Sequence, residues 1–146
     1  MPLPSVWGPH LWNTLHAFGA RCGKGQEKTR ADEAREGRWL IDHLESIIPC
    51  AECRAHVKEF KKARGIPGDV GEYSEWLWRL HDSVNERLGK TDRPPFTPDL
   101  GLNINIRESW KIYLYTLRDS LLRGDVKGMF VKDYTRHIGL WLGFSA

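Results

Sequence analysis

Two cysteines three residues apart are the side chains in this sequence best suited to chemistry. Cys50 and Cys53 stand in the run IPCAEC, residues 48–53. Proline is favoured in the first turn of a helix, so Pro49 is expected to place Cys50 there, where unpaired N–H groups and the helix dipole stabilise a thiolate. Residues three apart share one side of a helix, so the two sulfurs can close a short disulfide. The spacing therefore predicts reversible dithiol–disulfide chemistry.

Two other interpretations of this cysteine pair stay open at this point. The cysteines can be buried and inert, or they can bind zinc together with His56 in a C-x2-C-x2-H arrangement. Structural zinc takes four ligands, and the fourth would be the distant Cys22 or a histidine such as His81. The third cysteine makes the count odd, which does not suit a disulfide-stapled secreted scaffold.

A second candidate segment is HDSVNERLGK, residues 81–90. His81 and Asn85 are four residues apart and so project from one face of a helix, and Trp78 joins that face three residues earlier. Polar and stacking side chains that face inward suit a planar ligand with ribose hydroxyls and phosphates, and Lys90 can meet a phosphate. A core histidine beside a solvated asparagine is the simpler alternative.

A third candidate segment is WGPHLWNTLH, residues 7–16, in which Trp12 and His16 again share one helical face. Core packing is the alternative explanation for a tryptophan–histidine pair at this spacing. The cysteine pair also needs an acceptor for two electrons, because the chain has no obvious second cysteine pair to receive them. A bound redox cofactor is the natural acceptor.

The composition excludes several classes of protein. A chain of 146 residues suits one domain, and seven tryptophans and five phenylalanines can build a core, which excludes disorder as the main state. No uncharged apolar run approaches the roughly 20 residues that span a bilayer. Twenty-two Lys and Arg against 19 Asp and Glu leave a net charge of +3, too balanced to indicate a nucleic-acid binder. Residues 1–4 lack the basic start of a signal peptide, so we expect a cytoplasmic protein.

Helical periodicity recurs along the chain, and strand signals are nearly absent. The apolar spacing predicts helices near residues 7–18, 32–48, 50–60, 73–88, 110–121 and 131–141, with an irregular proline-rich connection at 93–98. Four helices over residues 5–90 indicate a helical bundle. We therefore expect an all-α protein, with a bundle domain at residues 1–98 and a C-terminal helical extension at residues 99–146.

The order of the three segments resembles the Erv/ALR family of flavin-dependent sulfhydryl oxidases. The pattern W-G-x-x-x-W-x-x-L-H begins at Trp7, P-C-x-x-C at Pro49 and L-H-x-x-V-N-x-x-L-G-K at Leu80, so the match covers roughly residues 6–96. The resemblance implies a four-helix bundle that holds FAD non-covalently, usually as a homodimer. It implies a thiol:oxygen oxidoreductase whose dithiol reduces FAD and whose flavin reduces O2 to H2O2. The family includes compact members encoded by large DNA viruses. Resemblance to those members implies a setting in host cytoplasm or a virion.

The resemblance carries roles to individual residues. It makes Cys53 the sulfur beside the flavin ring and Cys50 the outer sulfur that exchanges with thiols of substrate proteins. With Trp78 added from helical spacing, the candidate cofactor-binding residues are Gly8, Trp12, His16, Trp78, His81, Val84, Asn85, Leu88, Lys90 and Trp110. Departures from the family pattern are Asp82 in place of Asn, Ile48 in place of an aromatic residue, and Thr91 in place of proline.

The remaining cysteine, Cys22, provides no internal shuttle pair, so the resemblance implies an external thiol protein or thioredoxin-like donor. Arg21 and Lys24 flank Cys22 and can lower its pKa. We prefer the alternative of a spare, partly buried thiol.

Two other classes of function remain as alternatives to the oxidase. One is a zinc-stabilised helical interaction module built on the cysteine pair and His56. The other is a small basic binding module on the third helix, formed by Lys58, Lys61, Lys62 and Arg64.

The tryptophans also suggest an assembly. A small bundle opened for a dinucleotide has little apolar surface left to stabilise it alone. Trp7, Trp39 and Trp76 exceed what the ligand requires, and tryptophan is enriched at protein interfaces. We therefore expect a two-fold homodimer of 16.9 kDa chains joined through the first two helices.

Overall fold

The computed structural model describes residues 4–146, and all regular secondary structure in that range is helical. Its α-helices are α1 (Pro4–Arg21), α2 (Arg30–Asp42), α3 (Ala51–Arg64), α4 (Tyr73–Arg87), α5 (Ile106–Thr116), α6 (Arg118–Arg123) and α7 (Gly128–Ser145). Short 3-10 helices precede α2, α3 and α4. The prediction of an all-α protein is confirmed. The first three residues, on which the expectation about a signal peptide partly rests, lie outside the described range.

Helix α1 is the centre of the molecule, because it packs against α4 on one side and α5 on another. Its apolar residues at helical spacing, Leu11, Leu15 and Phe18, are all buried. Helix α4 contributes Leu77 and Leu80, which have no exposed surface. The two helices that hold the second and third candidate segments are therefore packed directly against each other.

The second and fifth predicted helices end earlier than the periodicity indicates. Helix α2 ends at Asp42, and a 3-10 helix, Leu44–Ile47, continues the apolar pattern to Ile48. Ile48 is extended because a proline follows it. The helix predicted for residues 110–121 divides at Leu117 into α5 and α6. The Thr116 hydroxyl donates to the Tyr113 carbonyl at 2.6 Å, a side-chain bond that competes with the helical ladder.

The last helix is longer than the glycines of the C-terminal segment suggest. The sequence predicts a short helix near residues 131–141, whereas α7 runs over 18 residues and contains Gly139 and Gly143. Each glycine costs a helix about 1 kcal/mol relative to alanine. Tertiary packing offsets this cost, because Tyr134, Ile138 and Trp141 are buried where α7 lies along α2.

The C-terminal helices belong to the same hydrophobic core as α1–α4. Two buried tyrosines fix them in place: the Tyr113 hydroxyl donates to the Ile47 carbonyl and the Tyr134 hydroxyl to the Leu40 carbonyl, each at 2.7 Å. The division at residue 98 stays a prediction, and the two parts share one core.

The tryptophans expected at a subunit contact pack against other helices of the same chain, although Trp39 stays partly exposed. Trp7 packs edge-on against Tyr113 of α5, with ring centroids 6.5 Å apart. Trp39 of α2 stacks on His137 of α7 at 3.6 Å. Trp76 is buried against Phe60 of α3. Helices α5 and α7 therefore occupy the faces of α1 and α2 on which the expectation of a homodimer rests.

No helix within residues 4–146 combines the length and the apolar character that crossing a bilayer requires.

Candidate functional site

The cysteine pair lies at the N-terminus of α3 and forms a disulfide. Cys50 is the N-cap residue rather than a first-turn residue, and its sulfur accepts a hydrogen bond from the Cys53 amide at 3.2 Å. The Cα atoms of the pair are 5.1 Å apart. The structure thus closes the disulfide that the spacing predicts, at a helix end whose dipole and amide stabilise a thiolate after reduction.

The two sulfurs have different surroundings. Cys50 is 5% exposed, whereas Cys53 is partly exposed and lines a cavity between α1, α3 and α4. The other lining residues are mostly apolar and come from four elements: Trp7, Gly8, Leu11, Trp12, Leu15, Leu44, Ile48, Val57, Leu80, Val84 and Arg87. We call this space the apolar cavity. An apolar ring system placed there would lie beside the Cys53 sulfur.

Three ring side chains form a stacked cluster next to the apolar cavity. Trp12 and His81 are almost parallel, with centroids 4.1 Å apart and an interplanar angle of 6°. His16 Nε2 and His81 Nδ1 are 2.9 Å apart and share a hydrogen bond. The sequence predicted that α1 and α4 each present such residues, and the packing of the two helices brings them together.

A second cavity, which we call the polar cavity, lies on the other side of this cluster. It has a volume of about 320 Å³ and is lined by His16, Trp78, His81 and Asn85 together with residues of the proline-rich connection. Four of the candidate cofactor-binding residues therefore converge on one space. Trp12 lines the apolar cavity and stacks on His81 of the polar cavity, so the cluster joins the two linings.

Burial controls the charge of the histidine pair. Burial, with a smaller contribution from the neighbouring imidazole of His81, lowers the pKa of His16 to about 4. Burial, with the positive charge of Lys90, also lowers the pKa of His81 to about 4, against a smaller opposing effect of Asp82. Both rings are therefore neutral at pH 7, and one can donate to the other across their shared hydrogen bond.

The remaining candidate residues are spread over three places. Val84 and Gly8 line the apolar cavity. Leu88 is 52% exposed at the end of α4 and lines neither cavity, and Lys90 is exposed in the turn that follows. Lys90 acts on the site through the effect of its charge on His81.

Trp110, the last candidate cofactor-binding residue, lines neither the apolar nor the polar cavity. It is buried beside Tyr113 and Tyr134, and its indole N–H donates to the Thr135 hydroxyl at 3.0 Å. The reason is that α7 packs beside α5 and takes this tryptophan into the core. Sequence spacing carries no signal for a contact between two helices so far apart in the chain.

Sequence reasoning missed the part of the site formed by the connection after α4. Pro94, Pro95, Thr97 and Leu100 line the polar cavity. Gly101, with a φ of +84°, lies so close to the His16 backbone that a Cβ atom there would overlap it. The glycine lets the connection cross α1 at the level of the histidine cluster. A glycine shortly after a proline-rich run was the signal that the sequence offered.

Asp82, which departs from the family pattern, is paired with Arg93 of the proline-rich segment that follows α4. Its two carboxylate oxygens accept hydrogen bonds from the Arg93 guanidinium, each at 2.9 Å. The Arg93 hydrogen bond lowers the pKa of this carboxyl group. The pair ties the start of the proline-rich segment to α4 beside the polar cavity.

The zinc alternative finds no support in the part of the chain that the structure describes. No group of three or more His, Cys, Asp and Glu side chains in residues 4–146 is placed to hold a metal ion. His56 Nε2 is instead 2.9 Å from the Ser83 hydroxyl of α4.

Two of the four cations proposed for a basic binding module on α3 have partners within the chain. Lys61 forms an ion pair with Glu45 at 2.5 Å, and the Arg64 guanidinium lies over the Phe60 ring.

Cys22 is buried, and its surroundings oppose thiolate formation. Burial raises the pKa of the Cys22 thiol well above its ordinary value, and the nearby carboxylate of Glu33 raises it further. The flanking cations therefore do not activate it. Arg21 turns away to donate to the carbonyls of Ala17 and Ile104, each at 3.2 Å.

Comparison with known proteins gives one family match and several similar sequences. The family model described as "Erv1 / Alr family" matches residues 9–111, more than half of the chain. The chain is 37% identical over 84 residues to the FAD-linked sulfhydryl oxidase ERV1 of Oryza sativa subsp. japonica, covering 57% of this chain and 42% of that protein. It is 29% identical over 85 residues to the FAD-linked sulfhydryl oxidase of African swine fever virus, covering 58% of this chain and 69% of that protein.

The extent of these matches differs between the relatives. The chain spans less than half the length of the plant ERV1 proteins it matches. The comparison with solved structures gave no significant match.

Proposed function

This chain belongs to the Erv1 / Alr family, and we propose that it is an FAD-dependent thiol oxidase that forms disulfides in substrate proteins. One observation carries the proposal. Cys53 of the disulfide lines the apolar cavity, and the stacked rings of Trp12 and His81 connect this cavity to the polar cavity. The plant and viral relatives whose names describe FAD-linked sulfhydryl oxidases support it.

The residues present fit a flavin dinucleotide. Trp7 Nε1 and His16 Nδ1 are buried without a hydrogen-bond partner among residues 4–146, and both side chains line the cavities. A ligand with many donors and acceptors can satisfy them. The apolar cavity measures about 50 Å³, well below the roughly 300 Å³ at which ligand pockets begin. A ring system can therefore enter only if the side chains that line the cavity, Trp12 among them, move apart.

The parts of the dinucleotide divide between the cavities by chemistry. We assign the flavin ring to the apolar cavity, beside Cys53. Trp78, His81 and Asn85 of the polar cavity suit the ribose and adenine portions, and Lys90 suits a phosphate. FAD, when bound, takes up the two electrons of the dithiol and transfers them to O2, which yields H2O2.

The protein's own step is thiol–disulfide exchange at the cysteine pair. A substrate thiolate attacks the Cys50 sulfur, forming a mixed disulfide and releasing Cys53 as the thiolate. A second substrate thiol then displaces Cys50, so the substrate loses two electrons and the pair gains them. The Cys53 amide, which bonds the Cys50 sulfur at 3.2 Å, stabilises Cys50 as the leaving thiolate. Because Cys50 is 5% exposed, this attack requires the segment around it to open.

The electron donor that we infer is an external thiol protein or a thioredoxin-like protein. Cys22 is the other cysteine of this sequence, and its burial and raised pKa remove it from thiol exchange. The match to a viral oxidase supports the expectation of a setting in host cytoplasm or a virion.

The experiment that tests this proposal is the visible absorption spectrum of the purified protein. We expect a yellow protein with flavin bands that releases FAD on denaturation. Asn85→Ala should weaken FAD binding about fivefold, because it removes a polar-cavity side chain whose hydrogen bond is worth about 1 kcal/mol. Asn103→Ala, an exposed change outside both cavities, serves as the matched control. A colourless protein that takes up no added FAD would overturn the proposal.

A further inference from the structure

A groove of about 450 Å³ lies on the surface next to the cysteine pair, between the end of α2, helix α3 and the connection from α6 to α7. The two-cavity site already described does not include it. Three cations line it: Arg54 and Lys58, one turn apart on α3, and Lys127 before α7. We call it the basic groove.

Arg54 connects the basic groove to the redox disulfide. Its amide donates to the Cys50 carbonyl at 2.9 Å, and its guanidinium donates to the Ile48 carbonyl at 2.6 Å. The same guanidinium reaches the Asp125 carbonyl at 3.1 Å, across the groove. A ligand seated in the groove therefore lies within a few residues of the outer sulfur.

The ion pairs in the groove leave an excess of positive charge. Each of its carboxylates already has a cationic partner: Asp42 pairs with Arg38, Glu45 with Lys61, and Asp125 with Arg123. Arg54, Lys58 and Lys127 form no ion pair with a carboxylate of residues 4–146. Lys127 lies over the exposed ring of Phe130 at 5.5 Å. The groove is thus complementary to negative charge.

We propose that the basic groove docks an acidic segment of the protein whose dithiol is oxidised, which deepens and rests on the proposed oxidase function. The cations are spread over two elements instead of converging on a point, which suits an extended chain carrying several carboxylates. The preferred substrate is a protein with Asp or Glu residues a few positions from its cysteine pair. Docking of that segment holds the substrate thiols beside Cys50.

The test compares thiol substrates that differ in charge. Two peptides share a Cys-x-x-Cys centre, one with glutamate flanks and one with glutamine flanks, and dithiothreitol is the uncharged reference. We expect the wild-type protein to favour the glutamate peptide by about tenfold in kcat/KM at low salt, with the preference declining as salt screens the charges. Lys58→Glu/Lys127→Glu should remove the preference, measured as the ratio of peptide to dithiothreitol kcat/KM.

The control variant carries the same change in charge elsewhere on the surface. Lys62→Glu/Lys111→Glu replaces two exposed lysines outside the groove and should keep the wild-type ratio. An equal loss in both double variants, or no loss in Lys58→Glu/Lys127→Glu, would overturn the docking proposal.

A binding arm separates docking from oxidation. The glutamate peptide with both cysteines replaced by serine should bind the wild-type protein, measured by fluorescence anisotropy, and bind Lys58→Glu/Lys127→Glu about tenfold more weakly. Failure of the oxidase proposal appears differently, as a wild-type protein that does not oxidise dithiothreitol. Equal binding of the serine peptide by both proteins contradicts the docking proposal whatever the oxidase result.

Discussion

His16 Nε2 of α1 and His81 Nδ1 of α4 share a hydrogen bond of 2.9 Å between two neutral imidazoles. The bond joins the two helices that carry the candidate cofactor residues, at the point where the apolar and polar cavities meet. A second proton on either ring would place a charge in a buried position beside another imidazole. The arrangement therefore exists only above the lowered pKa of the pair.

This relationship predicts how the stability of the FAD-free protein depends on pH. The pKa of both histidines is about 4 in the folded state and about 6.5 in the unfolded chain. Between these values only the unfolded state takes up the protons, so the free energy of unfolding falls as pH decreases from about 6.5 to 4. Each histidine contributes at most about 1.4 kcal/mol per pH unit in that window.

Urea unfolding at a series of pH values measures this effect. His81→Gln should flatten the dependence, because it removes one of the buried imidazoles and the neighbour of the other. Asn103→Ala, at an exposed residue that does not titrate, should keep the wild-type slope. A His81→Gln protein with the wild-type slope would show that other groups set the pH dependence.

Cys22 is predicted to be an inert thiol. Its burial and raised pKa keep it from reacting, so an aromatic disulfide reagent should titrate no thiol in the oxidised folded protein and one thiol after unfolding. Cys22→Ser should leave dithiothreitol turnover within about twofold. Rapid labelling of the folded protein, or a covalent dimer that disappears in Cys22→Ser, would contradict this assignment.

The packing of the C-terminal helices predicts a monomer. Two of the tryptophans that motivate a homodimer pack against the chain's own C-terminal helices, Trp7 against Tyr113 of α5 and Trp39 against His137 of α7. We expect sedimentation equilibrium at micromolar concentration to give a single 16.9 kDa species with bound FAD. A species of twice that mass would show that the subunits meet through another surface.

Features of the structure were predictable from the sequence when the interacting residues are close together along the chain. The Cys50–Cys53 pair and the faces of α1 and α4 were predictable because spacings of three and four residues fix them locally. Two contacts were not predictable, because they depend on packing between segments that are distant in the chain. These are the approach of Gly101 to His16 and the burial of Trp110 beside Tyr134. The length of α7 was underestimated for the same reason, since burial against α2 outweighs the propensity of its glycines.

The roles of the two sulfurs can be separated spectroscopically. Because Cys53 lines the apolar cavity, a Cys50→Ser protein should carry a free Cys53 thiolate beside the oxidised flavin and show a long-wavelength charge-transfer band. Cys53→Ser should lack the band, although both variants retain flavin. If the band appeared in Cys53→Ser instead, the assignment would be reversed, and the buried sulfur of Cys50 would be the one beside the flavin.

Oxygen consumption with dithiothreitol tests the central claim, that the Cys50–Cys53 pair passes electrons from thiols through FAD to O2. The account predicts that the wild-type holoprotein consumes one O2 and forms one H2O2 for each dithiol oxidised. It predicts that Cys50→Ser and Cys53→Ser, each loaded with FAD, lose at least about a hundredfold of this activity. A wild-type holoprotein that consumes no O2, or a Cys53→Ser protein with wild-type turnover, would contradict it.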